Sequence, residues 1–369
     1  MPTRPSSQSA TLPAVGTFEE YRDLPPDGRA QVVRTRSVAR ETRPSELPIL
    51  LLMLGRPRTC VPGLLAYAFG FSYAEAPFSP KVILGALLAF LIGFSANLHN
   101  TYTDLDEDAR NLPGRGWLLA RFGMPRLLVS LAAIDAFMIA SSALISTEFL
   151  IVMVFAVVGL HQYSFPPLRM KARTVLGLYV FAQAVVFPFM FGWLTERHVS
   201  TLLSRPSYVA MMIFLFLWFV AKGMFKNVPD FYGDRTAGLR TSATVFPTWR
   251  SAAIACAAAT ITAYLSLIVI VAVGLAPVRF LAALVWLPIV AVQCKRLIAT
   301  DDPAEGNQIL RVDMLVSSGF LGTLLLLGVP AWLGLGAALT GGLVLLGSDR
   351  LHLDSRRAQD SIQGGGGTP

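Results

Sequence analysis

The sequence predicts an all-α membrane protein, a polytopic bundle of nine or ten transmembrane helices. Of its 369 residues, 54% are hydrophobic and only 15% are charged, and the mean hydropathy is +0.56. Apolar runs long enough to cross about 30 Å of hydrocarbon recur through most of the chain. This composition is typical of a membrane protein and excludes an ordinary soluble globule.

The predicted elements begin with a basic arm. Residues 1–45 contain arginines among Pro, Ser and Glu but no apolar signal-peptide stretch, so we expect a disordered cytoplasmic arm. Eight apolar runs follow, each predicting a span: 59–75, 80–99, 124–146, 149–164, 174–194, 207–226, 249–274 and 277–294. Pro330 divides the long apolar stretch 311–347, which favours two further spans, 312–329 and 332–347. We therefore expect a transmembrane domain over 46–347 and a flexible tail over 348–369.

The charge pattern predicts the side of the membrane on which each loop lies. Lys and Arg concentrate at the ends of alternate apolar runs, and positive residues accumulate on the cytoplasmic side. With a cytoplasmic N-terminus, the basic residues that fall inside are Arg110, Arg115 and Arg121; Arg169, Lys171 and Arg173; Arg235, Arg240 and Arg250; and Lys295, Arg296 and Arg311. This distribution accounts for the net charge of +8 and indicates no nucleic-acid-binding face.

The three cysteines give no sign of metal or disulfide chemistry. Cys60, Cys256 and Cys294 lie in or beside apolar runs, and their spacing matches no zinc motif. We expect them to be buried as small hydrophobic side chains.

Two acidic motifs, each following an apolar span, are the strongest functional signal. NTYTDLDED contains Asn100, Asp104 and Asp108, and KNVPDFYGD contains Asp230 and Asp234. Within each motif these side chains recur every four residues, which places them on one helical face. Carboxylates at the edge of a bilayer core are costly and usually mark a site.

These oxygen ligands suit Mg²⁺, which commonly binds one or two carboxylates together with substrate phosphates. Both motifs fall on the predicted cytoplasmic side, so we expect their five side chains to form a catalytic cage that holds a diphosphate through two Mg²⁺ ions. Asp106 lies off the shared face, where solvent or Arg110 is its expected partner, and Glu107 is left outside the metal set. The alternative is that both motifs are solvated loops.

Basic side chains near the motifs are suited to bind a diphosphate. Lys226 lies four residues before Asp230 and shares its helical face. The other candidates are Arg56 and Arg58 at the start of the first span, Arg115 after the first motif, and Tyr163 and Arg169 in YSFPPLRMKAR. Anchoring at the membrane surface is the alternative role for the arginines.

Four segments together resemble the UbiA superfamily of intramembrane prenyltransferases, in particular its homogentisate prenyltransferase and chlorophyll synthase branch. They are GRPRT, NTYTDLDED, YSFPPLRMK and FKNVPDFYGDRTAGLRT, which match in order between about residues 50 and 330. The chain departs from that pattern at Thr101, where many members have Asp, and at Gly116, where the pattern has Pro.

The resemblance implies a helical bundle around a lipid-open central cavity. It implies that Mg²⁺ ionises a prenyl diphosphate, and that the allylic cation passes to a small lipophilic acceptor, aromatic or ring-bearing. An apolar wall must exclude water from such a cation. The candidates for this wall are Phe94, Tyr163, Phe181, Phe187, Trp193 and Phe225.

Two other functions remain compatible with these motifs. A UbiA-type terpene cyclase would use the same metal cage, but the double bonds of the prenyl chain would capture the cation. A transporter or ion channel would use the acidic residues to bind the cation that it moves. The acidic residues lie at one membrane face, however, and no inverted repeat with broken helices is evident, which disfavours transport.

Overall fold

The computed structural model of the chain describes residues 14–39 and 41–353, without the side chain of Asn111. These ranges are helical, with two isolated β-bridges and no strand. The α-helices, α1 to α16 in order, are Phe18–Asp23, Pro26–Thr35, Leu47–Gly55, Val61–Tyr73, Pro80–Thr103, Leu105–Asn111, Pro113–Phe122, Met124–Ser142, Thr147–Ser164, Thr174–Leu194, Pro206–Asn227, Phe231–Thr236, Trp249–Ala272, Leu287–Ala299, Pro303–Gly328 and Ala331–Arg350.

Nine helices in the described part are long and apolar enough to cross a bilayer. They are α5, α8, α9, α10, α11, α13, α14 with the 3₁₀ segment before it, α15 and α16. A tenth candidate is the bent pair Pro44–Gly55 and Pro57–Tyr73, whose two halves meet at 46°. The predicted all-α bundle of nine or ten spans is confirmed, and the protein is an integral membrane protein.

Prolines and side-chain caps define several helix ends. Proline occupies the first position of α5, α11 and α15, where its missing N–H is not needed for an intrahelical hydrogen bond. Ser146 caps α9, because its hydroxyl accepts a hydrogen bond from the Phe149 N–H at 3.1 Å. At the bend between α3 and α4, Arg56 adopts a positive φ of 52° directly before Pro57.

The bundle is closest-packed where α4 meets α10. A Cβ on Gly70 would lie 1.9 Å from the Phe189 carbonyl oxygen, and one on Gly192 would lie 2.2 Å from the Tyr67 carbonyl oxygen. Only glycine permits this approach, and small residues at such contacts are typical of packed membrane helices. The contact fixes α10, which forms one wall of the cavity described below.

The buried apolar residues form two cores. The larger core joins α4 and α5 to helices α8–α16. The smaller core joins the N-terminal arm to α3, the end of α5, α6, α7 and the start of α8. The three cysteines are buried, as predicted.

The structure corrects the expectation of a disordered arm between residues 14 and 39. This segment forms α1 and α2, and it buries Phe18, Tyr21, Val32 and Val33 against the α6–α7 region. The rest of the arm up to residue 13, and Arg40, lie outside the described residues. So does most of the predicted tail, from residue 354 onward, whereas α16 runs to Arg350.

Candidate active site

A cavity of about 240 Å³ lies between α5, α9, α10, α11 and α15, and both acidic motifs line it. These helices all have one end at the motifs, because α5, α9 and α11 end there whereas α10 and α15 begin there. Deeper along the helices the wall becomes apolar, with Ile92, Leu160, Phe187 and Phe219. The cavity therefore combines a charged end with an apolar interior.

The first acidic motif spans the junction between α5 and α6. Asp104 follows the last residue of α5 and accepts a hydrogen bond from the Thr103 hydroxyl at 2.9 Å. The Ser164 hydroxyl at the end of α9 donates to the Asn100 amide oxygen at 2.8 Å. Asp108 lies one helical turn after Asp104, so all three predicted side chains line the same cavity.

Asp108 forms a buried ion pair with Arg115, which lies in α7. The Arg115 Nη1 and Asp108 Oδ2 atoms are 2.8 Å apart, and the two side chains are 7% and 9% exposed. Both residues line the cavity. The predicted phosphate-binding arginine thus contacts a predicted metal ligand.

The second acidic motif lies at the α11–α12 junction. Asp230 precedes α12, and the Asp234 N–H donates to the Asp230 carbonyl oxygen at 2.9 Å, which keeps the two carboxylates one turn apart. Burial and the negative charge of Asp230 raise the pKa of Asp234 to about 7. Lys226 lines the cavity one turn before Asp230, with its ammonium 6.0 Å from the centre of the Phe181 ring.

Lys171 lies between the two motifs, and sequence reasoning missed it. Its ammonium contacts the Asp104 carboxylate and donates to the Thr103 hydroxyl at 3.2 Å. Burial and the positive charge of Lys226 lower the pKa of Lys171 to about 7, although Asp234 opposes this shift. From the sequence, Lys171 is expected only among the basic residues at the cytoplasmic surface, because periodicity assigns no direction to a side chain in the irregular turn after two prolines.

Arg169 is the one predicted site residue that does not line the cavity. Its Nη2 atom lies 2.5 Å from Glu107 Oε1. Glu107, which was left outside the metal set, does line the cavity. Arg169 therefore contacts the site through Glu107.

The remaining predicted residues line the cavity at its other walls. Arg56 and Arg58 are buried at the α3–α4 bend, and Tyr163 lies at the end of α9. The Arg58 guanidinium also binds Asp349 of α16 at 2.7 Å. This contact ties the last described helix to the cavity.

Three of the six predicted wall aromatics line the cavity, namely Tyr163, Phe181 and Phe187. The other three, Phe94, Trp193 and Phe225, are buried in the protein cores away from it. Sequence position alone does not distinguish an aromatic that lines a cavity from one that packs between helices.

Another buried ion pair lies one helical turn deeper, and sequence reasoning missed it as well. The Lys222 ammonium of α11 and the Asp313 carboxylate of α15 are 2.7 Å apart, and the side chains are 6% and 3% exposed. The Ser317 hydroxyl, one turn after Asp313, is buried and has no hydrogen-bond partner within residues 14–39 and 41–353. The sequence did contain one signal for Lys222, which lies four residues before Lys226 and therefore on the same face of the helix.

The five predicted metal ligands supply carboxylate and amide oxygens to one cavity, which fits the preference of Mg²⁺ for hard oxygen donors. They do not form a closed cage: among the described residues, no three His, Cys, Asp or Glu side chains converge as a metal site. Asp104 and Asp108 each contact a cation of the protein instead. An ion bound by these two carboxylates would share them with the Lys171 and Arg115 side chains or displace those side chains.

Comparison with known proteins identifies the family. A sequence profile of the UbiA prenyltransferase family matches residues 60–319. The chain belongs to this family. The predicted resemblance to UbiA proteins is confirmed.

Curated relatives in the family are digeranylgeranylglyceryl phosphate synthases. The chain is 30% identical to that of Korarchaeum cryptofilum (strain OPF8) over 192 residues, which cover 52% of this chain and 65% of the relative. It is 26% identical to that of Methanoculleus marisnigri (strain ATCC 35101 / DSM 1498 / JR1) over 190 residues, 52% of this chain and 66% of the relative. The chain thus matches slightly less than two thirds of the length of these relatives.

A UbiA homologue from Archaeoglobus fulgidus, solved with GPP and Mg²⁺ bound, has the same fold. The TM-score is 0.55 at 19% identity, over 79% of this chain and 99% of the homologue. At this identity the likeness concerns the fold alone.

Proposed function

We propose that this protein is a Mg²⁺-dependent intramembrane prenyltransferase, which transfers the prenyl group of a polyprenyl diphosphate to a lipophilic acceptor and releases pyrophosphate. The observation that carries the proposal is the single cavity in which two acidic motifs and several cations border an apolar interior. A diphosphate with a long hydrocarbon tail has this same division into a charged head and an apolar chain. Family membership and the GPP-bound homologue support the assignment.

We assign cation binding to Asn100, Asp104, Asp108, Asp230 and Asp234. When bound there, Mg²⁺ would neutralise the negative charge that develops on the leaving pyrophosphate. The carboxylates would hold the ions, and with them the charged pyrophosphate, at the edge of the membrane, where both motifs line the cavity.

The cations of the site have a second role in this proposal. Lys171 and Arg115 neutralise Asp104 and Asp108 before the substrate binds. The basic side chains of the cavity then bind the diphosphate oxygens, since Lys and Arg are suited to phosphate as point charge and planar fork. They are Lys171, Lys226, Arg115 and Arg56. In the bound state Mg²⁺ would neutralise the carboxylates, and the basic side chains would neutralise the diphosphate.

The apolar interior protects the reaction from water. Phe181, Phe187 and Phe219 line the cavity beyond Lys226 and exclude water from the allylic carbon. The prenyl chain extends from there between the helices toward lipid. Exclusion of water favours capture of the cation by the acceptor over hydrolysis.

The acceptor is the part of the proposal that rests on analogy. The sequence resemblance implies an aromatic or ring-bearing acceptor, whereas the name of the curated relatives points to a glyceryl phosphate lipid. We propose a lipophilic acceptor that enters from the membrane. Competition between a phenolic acceptor and a prenylglyceryl phosphate would distinguish the two classes.

The deciding experiment measures pyrophosphate release from geranylgeranyl diphosphate by the detergent-purified protein. We expect release with Mg²⁺ and none with EDTA. Asp104→Ala and Asp230→Ala should each reduce the rate by about 100-fold or more, because each removes charge stabilisation in a water-poor site. Asp301→Ala, at an exposed carboxylate outside the cavity, is the matched control.

Two results would contradict the proposal. One is the absence of metal-dependent release with every prenyl chain length and acceptor tried. The other is a rate for both Asp→Ala variants equal to that of Asp301→Ala. A cyclic hydrocarbon formed without any acceptor would instead support a terpene cyclase.

A further inference from the structure

The N-terminal arm is packed directly against the segment that carries Asp108 and Arg115. The Tyr21 side chain of α1 is fully buried, and its ring centre lies 5.5 Å from that of Trp117 in α7. A Cβ on Gly116 would lie 2.3 Å from the Tyr21 hydroxyl oxygen. A side chain at residue 116 would therefore force Tyr21 to shift from this position.

Two arginines of α2 bind the same segment on either side of Asp108. Arg29 Nη1 donates to the Ala109 carbonyl oxygen at 2.7 Å, and its Nε donates to Leu24 within the arm at 2.8 Å. Arg34 Nη2 lies 2.6 Å from Asp106 Oδ1. Asp106 thus has Arg34 as its partner, which is not the Arg110 expected from the sequence.

These contacts bracket the functional groups of the first motif. The arm binds the residue directly after Asp108 and packs on the residue directly after Arg115. With the Arg34 contact to Asp106, the attachments lie on both sides of the 2.8 Å Asp108–Arg115 ion pair, which stands at the edge of the cavity. A shift of the arm would therefore shift both partners of the pair.

The apolar contacts of the arm reinforce the two attachments. Phe18, Val32 and Val33 are buried together with Leu105 and Leu119 in the smaller core. Besides the arm, the elements that pack with α6 and α7 in the described part of the smaller core are α3, the end of α5 and the start of α8. The family match begins at residue 60 and does not include the arm.

We propose that residues 14–39 form a clamp that holds Asp108 and Arg115 in the geometry needed for diphosphate binding, with Tyr21 as its positioning residue. The effect of the clamp on substrate binding rests on the proposed function. Its effect on the order of the α6–α7 segment does not. Tyr21 acts through the backbone of Gly116 and touches neither substrate nor ion.

The test is a double-mutant cycle in the full chain. Gly116→Ala places a methyl group against the Tyr21 hydroxyl, and Tyr21→Phe removes that hydroxyl, which has no hydrogen-bond partner among the described residues. The nearest remaining ring atom would then lie 3.3 Å from the new methyl, which a small shift accommodates. The cycle therefore predicts damage by the first variant and rescue by the second.

Two readouts are needed, one of them independent of catalysis. Hydrogen–deuterium exchange of residues 104–118 should be faster in Gly116→Ala, near wild type in Tyr21→Phe, and restored in the double variant. The KM for geranylgeranyl diphosphate in pyrophosphate release should rise about tenfold in Gly116→Ala and return to within about threefold in the double variant, because misplaced binding groups weaken ligand binding. Gly342→Ala of α16 is the control, since its methyl would meet no atom within 4 Å.

If the arm does not hold the α6–α7 segment, hydrogen–deuterium exchange will show it. Alanine is a better helix former than glycine, so without a clamp Gly116→Ala would order α7 as well as wild type or better. Unchanged exchange in Gly116→Ala, or failure of Tyr21→Phe to restore it, would overturn the proposal. So would restored exchange with a KM that never changed.

The test remains decisive if Gly116→Ala does not fold or if the wild-type protein releases no pyrophosphate. If Gly116→Ala does not fold, Tyr21→Ala takes its place, and normal exchange in that variant overturns the clamp. If wild type releases no pyrophosphate, the proposed function fails, and the exchange cycle alone decides whether the arm holds the segment.

Discussion

At the scale of single residues, the charged end of the cavity is a set of groups that change each other's protonation. Asp234 has a raised pKa because it is buried beside Asp230, and Lys171 has a lowered pKa because it is buried beside Lys226. Both pKa values are about 7. The site therefore carries two groups that titrate near neutral pH: on raising the pH, Asp234 changes from neutral to negative and Lys171 from positive to neutral.

Divalent-cation affinity should rise with pH through this range. Raising the pH removes the proton from Asp234, which becomes a ligand, and removes the positive charge of Lys171, which no longer repels an ion. Mn²⁺ binding to the purified protein should be at least about tenfold tighter near pH 8 than near pH 6. Asp234→Asn should bind more weakly and with a flatter pH dependence; equal wild-type affinity at both pH values would contradict this.

Lys171→Met should weaken substrate binding specifically. The variant loses the cation that lies between the motifs, so the KM for a prenyl diphosphate should rise by about tenfold while the protein remains folded. Arg173→Met removes an exposed charge two residues away and serves as the control. Identical kinetics for the two variants would mean that Lys171 only anchors the turn.

At the scale of helices, ion pairs and close backbone contacts decide which elements meet. The Lys222–Asp313 pair joins α11 to α15 within the larger core, and the Lys222 ammonium also lies 5.0 Å from the centre of the Tyr264 ring of α13. Three helices are thus connected around one buried ammonium. Removal of one partner leaves the other charge buried and uncompensated.

The Lys222–Asp313 pair should stabilise the fold, and removing both charges together should destabilise the protein much less than removing one. Asp313→Leu should lower the free energy of unfolding by about 3 kcal/mol, and Lys222→Met combined with Asp313→Leu should recover most of it. Unfolding by SDS titration in mixed micelles would measure both values. A double variant as unstable as Asp313→Leu would show that the pair is not the source of the loss.

The helices themselves were largely predictable from the sequence, but their contacts were not. Apolar runs set the spans because a bilayer requires a fixed length, and four-residue spacing set the faces of the acidic motifs. Lys171 and Asp313 were missed because their roles depend on which helix lies opposite. The arm was missed because α1 and α2 are short and polar, and are held by a few apolar side chains such as Tyr21 that pack on residues far along the chain.

At the scale of the whole molecule, the alternation of basic loops predicts orientation. The α11–α13 loop, which contains the second motif, should be cytoplasmic, and the α10–α11 loop should be on the opposite side. Thr236→Cys and Ser200→Cys place exposed thiols in these loops, whereas the three native cysteines are buried. In intact cells an impermeant maleimide should label Ser200→Cys and spare Thr236→Cys; the reverse pattern would invert the assigned topology.

The division into two cores gives the molecule a weak seam through its charged cavity. Asp108 and Arg115 belong to the part held by the smaller core, whereas Asp230 and Lys226 stand on the larger bundle. Small cores bury less of their surface and open more readily than large ones. On heating, the protein should therefore pass through a state that keeps most of its helical circular dichroism but has already lost its activity, so its working temperature limit is set by the smaller core in its N-terminal third and not by the larger bundle of membrane spans.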